Sequence, residues 1–287
     1  MKTLRRLIVA MTIVACVSPI QAKNASGSWY ATVDGDDVQL NLVEKPRNQH
    51  GFGVPLATLT GLDAQQIAAQ HSTDVAFQML REAGTIDFRG TFARSNGAGT
   101  FSFTPSEQFL RDLRAMGFEI KDDGWPFLFT TTGFTLDTVR GLRALGFQPT
   151  SGDLEEIAIF KVTPEYVREF QSLGYKGLSI ENLVELRIGG VTPERIREYR
   201  ALGYTNLAAD KLSEAGIHGA TPEFIRKVAD AGYRDVPIDT LIEMRIFGVT
   251  PEFIKSLQDA GYRNVPIDKM VEIKMAGADK LFTKKHD

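Results

Sequence analysis

Residues 162–190 read VTPEYVREFQSLGYKGLSIENLVELRIGG, and the chain writes this stretch out again, with edits, towards its C-terminus. Val162-Thr163-Pro164-Glu165 returns as Val191-Thr192-Pro193-Glu194, Ala220-Thr221-Pro222-Glu223 and Val249-Thr250-Pro251-Glu252, a step of 29 residues each time. Two weaker copies begin near Thr104-Pro105 and Thr135-Leu136. A fixed period of this size marks a stacked array, in which each unit buries its apolar face only against its neighbours.

Each unit reads as two short helices. Thr163 suits the N-cap, Pro164 the first helical position, and Glu165 the positive end of the helix dipole. Tyr166, Val167, Phe170 and Leu173 then lay one apolar stripe along the helix. Gly174 stops it by taking a left-handed backbone, and Tyr175 folds back onto the last turn. The same glycine-aromatic stop recurs at Gly117-Phe118, Gly146-Phe147, Gly203-Tyr204, Gly232-Tyr233 and Gly261-Tyr262. The second helix carries Ile180, Leu183, Val184 and Ile188 and stops at Gly190, with equivalents Gly219, Gly248 and Gly277. After Gly277 charge replaces the apolar stripe, as the end of a solenoid requires. Helices of about ten residues are marginal alone in water, so packing between units must hold them.

Several columns run at the repeat period. Glu156, Glu185, Glu214, Glu243 and Glu272 share a position in the second helix; Arg140, Arg168, Arg197, Arg226 and Lys255 share one in the first. These form either a charged groove for a partner or a salt-bridge ladder between repeats. The column Ile188, Ile217, Ile246 and Met275 is expected in the core. Departures from the repeat mark further candidates for partner binding: Arg195 at the aromatic position of Tyr166, Phe224 and Phe253, and His218 and Phe247 just before the closing glycine. With Arg168, Arg197 and Arg226 they make up the candidate site.

Before the repeats the apolar period drops to two: Val38, Leu40, Leu42; Val75, Phe77, Met79; Ile86, Phe88, Phe92; Phe101, Phe103. That spacing predicts about six short strands in a compact antiparallel sandwich or barrel, with turns at Gly35-Asp36-Asp37 and Ser95-Asn96-Gly97. Asp63–Gln70 is a single helical interruption. Gly97-Ala98-Gly99 reads as a tight turn and not a phosphate loop, since no third glycine or βα turn follows. His50 and His71 have no partner at metal spacing and read as loop histidines.

The N-terminus is a separate matter. Lys2, Arg5 and Arg6 precede the apolar run Leu7–Val17 and then Ser18-Pro19-Ile20-Gln21-Ala22, the order of a secretory signal peptide cut after Ala22. Ile13-Val14-Ala15-Cys16 offers the alternative of cleavage and lipid anchoring at Cys16. Loss of residues 1–22 removes three of 33 basic residues and none of 36 acidic ones, moving the net charge from −3 to about −6. An acidic chain of this kind is ill suited to nucleic acid.

Nucleophile elbows, zinc-peptidase helices and phosphate loops are absent from the sequence, and no cofactor or metal is expected. The string Val-Thr-Pro-Glu, then Leu-Gly-Tyr, then Leu-Val-Glu-Leu-Arg-Ile-Gly-Gly, resembles the C-terminal repeats of penicillin-sensor-type antirepressor membrane zinc peptidases. Gly27-Ser28-Trp29-Tyr30 through Gly97–Phe103 is similar to the segment that precedes those repeats. The zinc motif and membrane helices of that family have no counterpart in this sequence, so the resemblance implies an envelope-side accessory or sensing module and transfers no catalytic residue.

The expected architecture is α+β: signal peptide 1–22, β domain 23–103, and an α-solenoid of about six helix pairs over 104–287. The expected role is a non-catalytic, exported scaffold that binds an envelope protein or peptide through its repeat surface. A sensor of cell-wall fragments or antibiotics, and a carboxylate-dependent hydrolase, stand as alternatives.

Overall fold

The computed structural model describes residues 24–45, 48–120 and 122–281. The segment expected to be a signal peptide, with Cys16, and His286 lie outside the described residues. The class is α+β, an antiparallel sheet followed by a helical repeat series. Contacts divide the chain into two compact units between Phe127 and Leu128.

Among the described residues the first unit holds seven strands: β1 (Ala25–Asp34), β2 (Asp37–Lys45), β3 (Asn48–Pro55), β4 (Leu59–Thr60), β5 (Thr73–Arg81), β6 (Gly84–Ala93) and β7 (Asn96–Pro105). A short helix, α1 (Ala64–Ala68), lies between β4 and β5 and is capped by Asp63. The strands form one sheet in the order β3-β2-β1-β7-β6-β5-β4, curled into a half-barrel. The alternation read in the sequence puts Leu40, Leu42, Phe77, Met79, Ile86, Phe88, Phe101 and Phe103 into one buried cluster.

At its centre is Trp29. Its ring meets Phe77 and Phe88 edge-on, at 5.4 and 6.0 Å between centroids. Its indole N–H donates to the Arg89 carbonyl at 3.2 Å. Trp29 stands opposite Gly99 on β7, which in turn stands opposite Gly90 on β6. A Cβ at Gly99 would collide with the Arg89 carbonyl, and one at Gly90 with the Ala98 carbonyl. Gly97-Ala98-Gly99 is therefore not a turn but part of β7, and its glycines permit close strand approach. The turn falls on Arg94 and Ser95, whose positive φ values of 49° and 62° are the two-residue hairpin geometry whose twist matches that of the strands. His50 is likewise not in a loop: it lies on β3, its ring 5.2 Å from Phe127 and edge-on to it. His71 is an exposed connector residue.

The first helix of repeat type, α2 (Glu107–Ala115), begins two residues later than Thr104-Pro105 suggested. Thr104 and Pro105 still belong to β7, and the Ser106 hydroxyl caps the helix by accepting from the Phe109 N–H at 3.2 Å. α3 (Trp125–Thr132) follows.

The second unit continues with α4 (Leu136–Ala144), α5 (Asp153–Ile159), α6 (Pro164–Ser172), α7 (Ile180–Ile188), α8 (Pro193–Ala201), α9 (Ala209–His218), α10 (Pro222–Asp230), α11 (Ile238–Ile246), α12 (Pro251–Asp259) and α13 (Ile267–Met275). The capping logic holds in the first helices, whereas α5, α9, α11 and α13 start without a side-chain cap. The hydroxyls of Thr163, Thr192, Thr221 and Thr250 accept from the N–H three residues on, at 3.2–3.3 Å. At the other end Gly174 is left-handed (φ 94°), and the N–H of Tyr175 returns to the Phe170 carbonyl at 3.1 Å. Second helices pack in series, α5 on α7, α7 on α9, α9 on α11 and α11 on α13; first helices pack among themselves, as α4 on α6 and α8 on α10. The polar end expected after Gly277 is a short turn, Ala278–Leu281, in which Asp279 pairs with Lys274 at 2.9 Å.

Side chains also tie each pair to the next. The Tyr175 hydroxyl donates to the Leu207 carbonyl, Tyr204 to Val236 and Tyr233 to Val265, at 2.9, 2.6 and 2.8 Å. Burial pushes the Tyr166 and Tyr199 hydroxyls up to about 12. Both therefore stay protonated near neutrality, and Tyr199 donates to the Ala220 carbonyl at 2.8 Å.

Candidate functional site

The column expected in the core is on the surface. Ile188, Ile217, Ile246 and Met275 are 55%, 54%, 52% and 66% exposed, and Ile159 one repeat earlier is 46% exposed. The reason is angular. The buried residues of α7 are Leu183, Val184 and Leu186. At about 100° per residue, Ile188 points roughly 130° away from the middle of that stripe. Its i+4 distance from Val184 satisfies a helical spacing while placing it off the buried face.

The result is one apolar side chain per repeat at the C-terminal end of successive second helices. Single exposed apolar residues are ordinary; a row of five on consecutively packed elements is not. Two of the sequence candidates flank it. Phe247 follows Ile246 and is 36% exposed, and His218 follows Ile217 and is exposed.

The remaining candidates lie elsewhere. Arg168 pairs with Glu165 and Arg197 with Glu194, both at 3.1 Å within the same helix. Arg140 does the same with Asp137 at 2.7 Å. Arg226 reaches back to Glu198 of the preceding repeat at 2.9 Å. It also borders a cleft of about 280 Å³ with Leu202, Tyr204, Ile225, Tyr233 and Arg234. Exposed pairs of this kind contribute only about 0–1 kcal/mol each. Helix starts add a further bias: the carboxyls of Glu165 and Glu194 sit below the usual range because their own backbone N–H groups face them.

Arg195 has a structural partner exchange behind it. In the neighbouring repeats a second-helix cation lies over the aromatic of the first helix: Arg187 over Tyr166 at 3.7 Å, Arg245 over Phe224 at 5.0 Å, Lys274 over Phe253 at 4.3 Å. Arg187 and Arg245 also reach carbonyls at the end of the preceding pair, Lys161 and His218, at 3.4 and 3.3 Å. In the Thr192–Ala220 repeat the second-helix position is Gly216 and the aromatic is Arg195. Arg195 then supplies the same contact from the first helix, donating to the Gly190 carbonyl at 2.7 Å. Two substitutions that look independent in sequence are one exchange in space.

The room for it is made by glycine. A Cβ on Gly216 would collide with the Gly189 carbonyl, and one on Gly189 would press on the Ser213 backbone. Helices α7 and α9 thus cross backbone to backbone. This contact was legible only as a gap in the Arg187, Arg245 and Lys274 column. Among the described residues, no three or more His, Cys, Asp or Glu side chains group as metal ligands would, and no helix is long and apolar enough to cross a membrane. Comparison of the chain with protein-family models, curated proteins and solved structures finds no match.

Proposed function

We propose that this protein is a non-catalytic docking scaffold of the bacterial envelope, which holds a protein or peptide partner along its second-helix layer. The observation that carries this reading is the exposed apolar row Ile159, Ile188, Ile217, Ile246 and Met275, with Phe247 beside it. Such a row loses solvation free energy on every copy unless something covers it, and repeat arrays present extended surfaces of this kind to partners. The signal-like order of residues 1–22 supports an exported location, periplasmic or secreted, with lipid attachment at Cys16 as the other form of export. The resemblance to the repeats of the antirepressor peptidases supports an envelope role. Sensing of cell-wall fragments is a second form of the same proposal, with the cleft beside Tyr204 and Tyr233 as its place.

Replacing Ile188, Ile217 and Ile246 together by serine tests the reading. All three are more than half exposed, so the melting temperature should stay within a few degrees of the parent. The crosslinked complex recovered from native envelope should fall away at the same time. A variant that keeps its complex, or one that unfolds, contradicts the assignment.

A further inference from the structure

The two helix layers of the repeat unit differ in charge. The first helices, α4, α6, α8, α10 and α12, carry nine acids and nine bases. The second helices, α5, α7, α9, α11 and α13, carry eleven acids and only five bases. Even those five are committed. Arg187, Arg245 and Lys274 lie over aromatic rings. Lys211 bridges Glu214 and Asp239, and Lys269 holds Glu272. Asp239 and Glu214 hold the Lys211 ammonium well above the usual lysine range. Glu156, Glu181, Glu185 and Glu243 have no ion-pair partner among the described residues.

These carboxylates are placed by the helix itself. Glu181, Glu185 and Ile188 follow at i, i+4 and i+7, as do Asp239, Glu243 and Ile246, so each helix shows two acids and then one apolar residue along a single stripe. The apolar end is also the negative end of the helix dipole. An apolar row bordered by unneutralised carboxylates suits a partner that is apolar at intervals and cationic between them. Nucleic acid and anionic bilayers, which carry the same sign of charge, are repelled.

We propose that the second-helix strip takes a basic peptide segment with regularly spaced apolar anchors, an inference that rests on the docking reading above and names the partner's chemistry. The repeat sets the spacing. Packed helices lie about 8–10 Å apart, and one isoleucine is offered per helix. Every seventh residue of an α-helix recurs at about 10.5 Å and every third of polyproline II at about 9.3 Å. Same-face residues of a β-strand recur at about 6.8 Å and fall out of step. The segment is therefore helical or polyproline-like.

Fluorescence anisotropy with the full chain and labelled synthetic peptides tests this. The probes are a lysine-rich helical peptide with leucine at every seventh position and a lysine-rich polyproline-type peptide with leucine at every third. Controls replace lysine by glutamate, or leucine by serine. At least one basic, leucine-bearing probe should bind, with affinity falling as salt rises and each control weaker by about tenfold or more. Glu181→Gln/Glu185→Gln/Glu243→Gln should weaken binding about threefold or more while the melting temperature stays within a few degrees of the parent, since among the described residues none of these side chains makes an ion pair and only Glu181 sits at a helix start. Equal or tighter binding of the glutamate peptide overturns the inference while leaving the docking row standing. Absence of binding by any probe also overturns it, and the isoleucine variants then judge the docking reading separately.

Discussion

Gly216→Val is expected to cost the repeat unit about 3 kcal/mol or more, a fall in melting temperature of roughly 6–12 °C for a unit of this size. The sign is opposite to that of an ordinary helix position, where replacing glycine adds helix propensity worth about 1 kcal/mol. Gly216 is inside α9, and the atoms a new Cβ would meet are the backbone of Gly189. Backbone cannot rotate out of the way as a side chain can, so α9 must lift off α7. In a stacked array each unit is held only by its neighbours, so this separation divides the stack. Calorimetry of the full chain should show the repeat transition lowered and broadened. Gly216→Ala should move it in the same direction to a smaller extent. A rise in melting temperature with either variant would falsify the close crossing of α7 and α9.

The second large effect is expected in the sheet. Trp29 is fully buried, and its removal as Trp29→Ala should cost about 3–5 kcal/mol. The space it vacates cannot close readily. Phe77 and Phe88 are stacked on each other at 4.6 Å, and Gly90 and Gly99 opposite have no side chain to move in. The Arg89 carbonyl also loses the indole donor. Trp29→Phe keeps most of the apolar volume and should cost less than half as much. Urea unfolding of the full chain checks both, and near-equal midpoints for the parent and Trp29→Ala would show that the tryptophan is not the centre of that core.

Much of the architecture was legible because the repeat writes the same local rules many times. Threonine caps, proline at the first turn and glycine just past the end are short-range chemistry, and in α6, α8, α10 and α12 each appears where the sequence placed it; the weaker Thr104-Pro105 copy placed its helix two residues early. Strand alternation was equally local, although Gly97-Ala98-Gly99 misled because glycine serves turns and close strand approach alike. What failed was angular. Ile188 was assigned to the core from the spacing Ile180, Leu183, Val184 and Ile188, whereas the buried stripe is fixed by Leu183, Val184 and Leu186 together. The exposed row, the surface on which the docking proposal rests, was therefore hidden inside an expectation of burial. Arg195 shows the other limit. A departure from the repeat drew attention as a binding candidate, yet its reason is Gly216, a residue on another helix. Exchange between positions that meet only across a helix pair shows in each column as a lone departure, with nothing in that column to name its partner.

The central claim is that partners meet the second-helix layer and not the arginine column of the first. Photoreactive side chains installed singly at positions 188, 217 and 246, and in parallel at 168, 197 and 226, compare the two faces directly in native cells. The account predicts one discrete adduct of common mass from the first three positions and none from the other three. Adducts from positions 168, 197 and 226, with the isoleucine positions silent, would contradict it and return the arginine column as the binding face.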